Sequence, residues 1–209
     1  VYQNLLSLKN EIDIEEENKD IVRRYKALLR SCNSEITRED KKLIRKAFNL
    51  AVDAHKDVRR KSGEPYIFHP IAVAQIVAKD IGLDATSIAC ALLHDVVEDS
   101  EYTLNDIEKI FNPKIRKIID GLTKISGFSE QDISSQAENF RKMLLTISDD
   151  VRVILIKLAD RLHNMQTLDS MPTNKQQKIG SETLYIYAPL AHRLGLYSIK
   201  TELEDLGLK

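Results

Sequence analysis

The 209-residue sequence predicts an all-α fold, a helical bundle with short connections. Apolar residues recur at helical spacing along most of the chain, and no alternating strand pattern extends convincingly beyond four residues. Seven glycines, five prolines and the lack of tryptophan suit helices better than a sandwich or a barrel. Residues 151–156 form the one segment whose pattern leaves helix and strand open.

Helical patterns can be followed in order from the N-terminal region. Ile21, Tyr25, Leu28 and Leu29 lie at positions i, i+4, i+7 and i+8 and predict an amphipathic helix. A second helix is expected to begin near Thr37, a residue type that caps helix N-termini, and to end near residue 58. Further helices are predicted over residues 70–81, 85–97, 104–111, 114–122, 136–147, 151–169 and 175–206.

Two segments between these helices are predicted to be loops. Residues 59–65 contain Gly63 and Pro65, which mark a turn. Residues 125–135 contain several serines and Gly127. We therefore expect this second segment to be the most mobile loop and the element that regulation of a site would move.

Composition and charge exclude several classes of protein. The 31 basic and 32 acidic residues nearly cancel, so we expect no DNA or RNA to be bound. No apolar stretch approaches the roughly 20 residues that a membrane span needs, and no signal peptide is recognisable. Cys32 and Cys90 have no pairing pattern and are more typical of reduced thiols, which favours a cytoplasmic location. Both ends of the chain fall in helical patterns, which suggests a fragment of a longer protein.

One short string concentrates the chemistry. His94, Asp95, Glu98 and Asp99 follow directly on the apolar run at residues 88–93. Carboxylates are rarely buried without a partner, and a divalent cation would neutralise them. On a helix, His94 would stack over Glu98 and Asp95 over Asp99, because residues four apart share a face. A lone His-Asp pair is usually an ordinary polar contact, but the whole string favours a metal site.

Two further segments supply matching residues. His69 stands just before a proline, where an extended backbone can project it into a cleft. Asp160, Asn164 and Thr167 fall on one face of a later helix. Two imidazoles and two aspartates would leave open coordination positions and would suit Mn²⁺ or Fe²⁺ at least as well as Zn²⁺. Spacing alone does not bring these segments together.

Some neighbouring residues are expected to have other roles. His55 is more typical of a surface or interhelix contact than of a ligand. His163 is placed about 300° around the helix from Asp160 and is expected to be structural or to support a ligand. Lys157 and Arg161 could neutralise phosphate or pair with nearby acids, and the sequence leaves both interpretations open.

Longer strings resemble a known family. His69, His94, Asp95 and Asp160 resemble the signature of the HD-domain metal phosphohydrolase superfamily. Five strings are also similar to the hydrolase domain of the RelA/SpoT family, which manages the bacterial alarmones ppGpp and pppGpp. They are RKSGEPYIFHP at 60–70, LHDVVED at 93–99, DGLTK at 120–124, VRVILIKLADRLHNM at 151–165 and IYAPLAHRLG at 186–195.

The resemblance implies an HD-domain helical bundle and a particular site. One Mn²⁺ would be held by His69, His94, Asp95 and Asp160. The attacking water would be positioned and activated by Glu98 and Asp99. The nucleotide would be bound by Arg60, Lys61, Ser62, Asn164 and Thr167, with Arg60 against the guanine base. The reaction implied is removal of the 3′-pyrophosphate, giving GDP or GTP plus pyrophosphate, as part of the stringent response.

The resemblance also implies a domain organisation. Residues 1–19 would form an N-terminal segment, residues 20–195 the hydrolase domain, and residues 196–209 the start of a connection to a synthetase domain. Ser100 and Gln166 depart from the family pattern, which usually has threonine and often arginine there. Gln166 removes one positive charge near Thr167, so affinity for an anionic substrate is expected to change somewhat.

Two alternatives stay open. The chain could be an HD-domain phosphohydrolase of another nucleotide, against which the string at residues 60–62 argues. It could also be a non-catalytic domain that senses (p)ppGpp without cleaving it. The intact pair of Glu98 and Asp99 favours an enzyme.

Overall fold

The computed structural model describes residues 2–32, 36–126 and 150–209, with side chains from residue 14 onward. These residues confirm the all-α prediction, because their only extended pairing is an isolated bridge between Arg59 and Pro65. Among the described helices, none has both the length and the hydropathy that crossing a membrane requires.

Eleven α-helices are found in the described residues, and three short turns of other helix types join or extend them. The α-helices are α1 (Tyr2–Ser31), α2 (Arg38–Ala54), α3 (Phe68–Ile76), α4 (Ala85–Leu93), α5 (Val96–Asp99), α6 (Leu104–Ile110), α7 (Pro113–Ser126), α8 (Val151–Gln166), α9 (Thr173–Glu182), α10 (Ala188–Arg193) and α11 (Tyr197–Gly207). The short turns are π-helical at Val77–Ile81 and Thr183–Tyr187, and 3₁₀ at Leu168–Ser170.

Local sequence explains how α2 begins. Thr37 accepts a hydrogen bond from the backbone N–H of Asp40, and the Asp40 carboxylate accepts one from the backbone N–H of Thr37. This reciprocal capping box satisfies two backbone donors that the first turn would otherwise leave unpaired. The helix ends at Ala54, four residues before the predicted end.

Helix α4 forms the centre of the core. Ile88, Leu92 and Leu93 are fully buried, because α2, α3, α7 and α8 all pack against this helix. A helix that is apolar all round is stable only when it is enclosed in this way. The C-terminal end of α4 therefore delivers the following residues to the interior, where the candidate site lies.

Two predicted helices are interrupted. The helix expected over residues 85–97 stops at Leu93 and resumes at Val96, so His94 and Asp95 lie in a break between α4 and α5. The helix expected over residues 175–206 is divided into α9, α10 and α11. Pro189 lacks the N–H that would bond to residue 185, which accounts for the widened turn before α10. Gly195, with φ of 75°, ends α10.

One prediction is wrong, because His69 lies in the first turn of α3 and not on an extended backbone before Pro70. Three other predictions concern residues 125–169. The segment at residues 151–156, which was ambiguous, is helical and belongs to α8, which ends at Gln166 rather than at residue 169. The loop predicted at residues 125–135 lies outside the described residues except for Ile125 and Ser126, which end α7. The helix predicted at residues 136–147 lies outside them entirely.

Candidate metal and nucleotide site

A polar pocket of about 580 Å³ lies beyond the C-terminal end of α4. Its wall is formed by residues from the 59–66 loop, α3, α5, α8 and α9. Three of the four predicted metal ligands line this pocket, namely His69, Asp95 and Asp160. His94, the fourth, is buried directly behind them.

The four predicted ligands converge, although they come from three separate parts of the chain. Asp160 Oδ1 lies 3.2 Å from His69 Nε2 and 3.8 Å from His94 Nε2. Asp95 Oδ2 lies 2.9 Å from His94 Nε2 and 3.8 Å from His69 Nε2. Ligand atoms of His69, His94 and Asp95 all fall within 4.8 Å of one another. One ion could therefore touch these three ligands, and Asp160 lies beside both histidines.

The break between α4 and α5 explains part of this convergence. His94 directly follows the buried α4, and its Nδ1 lies 2.8 Å from the carbonyl oxygen of Ala91. A carbonyl only accepts, so Nδ1 carries a proton and Nε2 faces the cluster. His94 Nε2 is buried and makes no hydrogen bond of acceptable geometry, although Asp95 is close. Such a nitrogen fits a metal ligand.

Each carboxylate of the cluster is held by further side chains. Tyr66 donates its hydroxyl to Asp95 Oδ2 at 2.6 Å. Asp160 receives the Lys157 ammonium on Oδ2 at 2.8 Å and the Asn164 amide on Oδ1 at 2.7 Å. The last contact confirms that Asp160 and Asn164 share a helix face. Lys157 was expected either to neutralise phosphate or to pair with a nearby acid, and in the structure it pairs with Asp160.

These contacts shift the pKa values of both aspartates in one direction. Burial opposes ionisation of Asp160, but Lys157 together with His69 and His94 more than offsets it, so the pKa lies well below its usual range. Burial likewise opposes ionisation of Asp95, and the neighbouring His94 outweighs it, so this pKa is also lowered. Both groups are therefore carboxylates at neutral pH, as ligands for a divalent cation must be.

His163 contacts His69 and so supports a predicted ligand, which is one of the two roles expected for it. The Nδ1 atoms of the two rings lie 2.8 Å apart. The expected angle of 300° between Asp160 and His163 is the same as 60° in the other direction, so residues three apart are neighbours on the helix surface. Burial and the nearby positive charge of Arg60 lower the pKa of His163 to about 3, which keeps the ring neutral.

Glu98 and Asp99 line the pocket beside the cluster rather than within it. Burial and repulsion from Asp95 raise the pKa of Asp99. His55 is buried, with its ring stacked on Tyr66 at a centroid distance of 4.8 Å and its Nε2 lying 3.9 Å from Asp99 Oδ2. His55 is thus an interhelix contact, as one of its predicted alternatives had it, and not a surface residue.

The part of the pocket next to the cluster contains the residues expected to bind a nucleotide. Arg60 donates to Asn164 Oδ1 at 3.3 Å and to Thr167 Oγ1 at 3.2 Å. Lys61 also lines the pocket, whereas Ser62 lies on the exposed outer part of the loop and does not. The structure therefore brings four of the five predicted residues together.

The loop that carries Arg60 is anchored at its base. Arg59 makes a bidentate ion pair with Glu17 of α1, with N–O distances of 2.8 and 2.9 Å. Gly63 has a φ of 90°, which side chains rarely tolerate, and its N–H bonds to the Arg60 carbonyl at 2.9 Å. The tight turn therefore fixes where the Arg60 side chain enters the pocket.

The pocket carries more positive than negative side chains. Its cationic residues are Arg59, Arg60, Lys61, Lys157, Arg161, Lys175 and Lys178, and its acidic residues are Asp95, Glu98, Asp99, Asp160 and Glu182. Arg59, Lys157 and Arg161 form ion pairs. The other four cations make no ion pair with a carboxylate in the part of the chain that the structure describes. A pocket of this kind favours an anionic ligand.

Comparison with known families decides where the chain belongs. The HD domain family profile matches residues 47–197, which include all four clustered ligands. The chain belongs to the HD domain family. Metal phosphohydrolase sites of this family are built on divalent cations, and the two histidines and two carboxylates of this HD domain fit such an ion.

Relatives of this HD domain include long bacterial proteins. The bifunctional (p)ppGpp synthase/hydrolase SpoT of Escherichia coli K12 is 50% identical over 169 residues, which are 80% of this chain and 24% of that protein. A probable guanosine-3′,5′-bis(diphosphate) 3′-pyrophosphohydrolase of Synechocystis is 51% identical over 168 residues, 80% of this chain and 22% of its own length. A GTP pyrophosphokinase of Myxococcus xanthus is 49% identical over 174 residues. The chain spans about a quarter of the length of these relatives.

A solved structure shares the fold. A metazoan ortholog of SpoT, described as hydrolysing ppGpp, superposes with a TM-score of 0.59 at 24% identity. The match covers 83% of this chain and 96% of that one. At this identity the similarity supports the HD-domain fold, and it extends over nearly the whole of the other protein.

Proposed function

We propose that this HD domain hydrolyses the 3′-pyrophosphate of ppGpp and pppGpp, giving GDP or GTP and pyrophosphate. The observation that carries the proposal is the presence of two complementary groups in one pocket, the ligand cluster around Asp160 and the cationic end around Arg60. Relatives at about 50% identity, including one from Escherichia coli O157:H7, are named for this reaction.

The metal that we propose is Mn²⁺, held by His69, His94, Asp95 and Asp160. When bound, the ion would supply a Lewis acid for phosphate oxygens and for the attacking water. Two imidazole and two carboxylate ligands suit Mn²⁺ at least as well as Zn²⁺ and leave positions open for the substrate. The buried Nε2 of His94, which makes no hydrogen bond, supports its place among the ligands.

The remaining residues have roles that follow from their positions. Glu98 and Asp99, next to the cluster, would orient the attacking water and accept its proton, and the raised pKa of Asp99 suits a proton acceptor. As water adds to phosphorus, the bond to the ribose 3′-oxygen breaks and that oxygen leaves as a hydroxyl group. Lys175 and Lys178 lie where they would neutralise the phosphates.

The base and ribose would lie at the Arg60 end of the pocket. The planar guanidinium of Arg60 can stack on a guanine ring, and Lys61 would contact the nucleotide nearby. Asn164 and Thr167, which bond to Arg60, would contact the ribose and its phosphates. We retain Ser62 as a substrate contact that would require the exposed loop to close over the nucleotide.

We also propose a domain organisation and a location. Residues 20–195 would form the hydrolase unit, and the family match over residues 47–197 lies within or close to these bounds. Residues 1–19 would precede that unit, and residues 196–209 would lead toward a synthetase domain, since the relatives are about four times longer than the matched region. We expect the protein to act in the cytoplasm during the stringent response, without binding DNA or RNA.

The decisive assay follows pyrophosphate release from ppGpp in the presence of Mn²⁺, with and without a chelator. Release only in the presence of the metal is expected. Glu98→Gln and Asp99→Asn should each lower turnover at least about tenfold, equivalent to about 1.4 kcal/mol of barrier, with near-normal metal content. Glu101→Gln, which removes a nearby exposed acid, serves as the matched control and should leave turnover unchanged.

Each alternative predicts a different result in the same assay. Binding of ppGpp without turnover would identify a sensor domain. Turnover of other nucleotides alone would identify a different HD-domain phosphohydrolase. Loss of metal from Glu98→Gln or Asp99→Asn would move that residue into the ligand set and overturn the role assigned to it.

A further inference from the structure

The contact between His69 and His163 constrains where protons lie in this site. Their Nδ1 atoms are 2.8 Å apart, and the ring centroids are 5.0 Å apart. Two imidazole nitrogens at this distance are stable when one carries a proton and donates it to the lone pair of the other. The contact therefore specifies one donor and one acceptor.

The ligand cluster decides which ring donates. His69 Nε2 lies 3.2 Å from Asp160 Oδ1 and faces the other ligands. To present a lone pair to a metal ion from Nε2, a neutral His69 must carry its proton on Nδ1. His163 Nδ1 must then accept that proton's hydrogen bond, and His163 must carry its own proton on Nε2.

Arg60 reinforces this arrangement from the other side. Its Nη1 lies 3.5 Å from the same Nδ1 atom of His163. A guanidinium has no lone pair and can only donate, so its proximity also favours an unprotonated Nδ1 there. Arg60, His163 and His69 thus form a continuous series from the nucleotide end of the pocket to the metal end.

We propose that His163 is a positioning residue that fixes the tautomer and the orientation of His69 for metal binding. This inference rests on the proposed function, because it assumes that His69 is a metal ligand. The other ligand histidine, His94, is oriented by a backbone carbonyl that no substitution removes. The support of His69 comes from a side chain and can be tested directly.

The test compares two substitutions that differ in one property. His163→Leu fills similar space without an acceptor, whereas His163→Asn places an amide oxygen near the former Nδ1 position. Mn²⁺ affinity, measured from free Mn²⁺ in an electron paramagnetic resonance titration, should fall about ten- to a hundredfold in His163→Leu. In His163→Asn it should stay within about threefold of the wild type. His192→Leu, which changes an exposed histidine of α10, is the matched control.

The outcomes separate the inference from the proposed function. Equal affinity of wild type and His163→Leu would overturn the inference and leave the metal site intact. If His163→Leu and His163→Asn weaken Mn²⁺ binding equally, the inference would also be overturned, because the hydrogen-bond acceptor at this position would then be irrelevant. A wild-type protein that binds no divalent ion would overturn the proposed function itself.

A second measurement does not depend on the folding of variants. In wild-type protein loaded with diamagnetic Zn²⁺, two-dimensional ¹H–¹⁵N spectra of the histidine rings distinguish protonated from unprotonated ring nitrogens. His163 should appear as the Nε2–H tautomer and His69 as the Nδ1–H tautomer. A proton on Nδ1 of His163 would overturn the proposal.

Discussion

The ion pair between Lys157 and Asp160 offers the sharpest test of how the site is held together. The two charged groups lie 2.8 Å apart, and their side chains are only 14% and 8% exposed. We consider Lys157→Met, which keeps the length of the side chain and removes its charge. Asp160 would then be a buried carboxylate without its main counter-charge, because Lys157 makes the largest of the contributions that lower its pKa against the effect of burial.

The magnitude follows from the burial of the pair. Removing one partner of a buried ion pair typically destabilises a protein by about 3–5 kcal/mol. For a chain of this size, each kcal/mol lowers the melting temperature by about 2–4 °C, so a decrease of about 6 °C or more is expected. The same substitution at Lys200 is the control, because Lys200 pairs with Glu204 at 2.7 Å on a more exposed surface. Loss of this exposed ion pair should lower the free energy of unfolding by less than about 1 kcal/mol.

The assay is thermal unfolding at pH 7 with a chelator present. The pKa of Asp160 is depressed in the folded state, so its contribution is complete above the unfolded value of about 3.9 and is lost as the pH falls through the folded value. Measurement at pH 7 therefore reports the whole effect. With saturating Mn²⁺, the difference in melting temperature between Lys157→Met and the wild type should become smaller, since the cation would neutralise Asp160. A chelated Lys157→Met protein that melts within about 2 °C of the wild type would refute the reasoning.

Three further predictions concern the site and its surroundings. Tyr66→Phe removes the hydroxyl that bonds to Asp95 at 2.6 Å and should weaken Mn²⁺ binding at least about tenfold in a metal titration, with an unchanged affinity contradicting this. Gly121→Ala should destabilise the protein by about 1 kcal/mol net and so lower its melting temperature, because the added Cβ would lie 2.9 Å from Val153. Gly180→Ala has room for the added Cβ and should raise the melting temperature. Saturation with Mn²⁺ at a hundred times its Kd should stabilise the wild type by about 2.7 kcal/mol in denaturant titrations, and no shift would argue against a metal site.

Patterns within one helix were enough to predict part of the site. The spacing of Asp160, Asn164 and Thr167 predicted one shared face, and Arg60 contacts the last two of them while Asn164 bonds to Asp160. The start of α2 was predictable from Thr37, whose capping box involves residues only three apart. Interactions of this range are encoded locally, because helix geometry alone sets the distances.

Other features depend on contacts between distant segments. The break at His94 and Asp95 could not be read from an apolar pattern that continues through it. His163 contacts His69, which is 94 residues away. The angle of about 300° between Asp160 and His163 hid the fact that the two are neighbours on the helix surface, because it equals 60° in the other direction. The interruption near Pro189 is different, because the proline was visible in the sequence and should have divided the predicted helix.

The charges of the site explain why its carboxylates have so many supports. Asp95 and Asp160 are close together, and each needs compensation for the loss of water. Lys157 provides this for Asp160. Burial disfavours a charged His94, yet attraction to Asp95 and Asp160 outweighs it and raises the His94 pKa to about 9. A divalent ion binds neutral imidazole, so it would take over the compensating role of that proton and release it. The side chains around the cluster can therefore keep the ligands in place both before and after an ion binds.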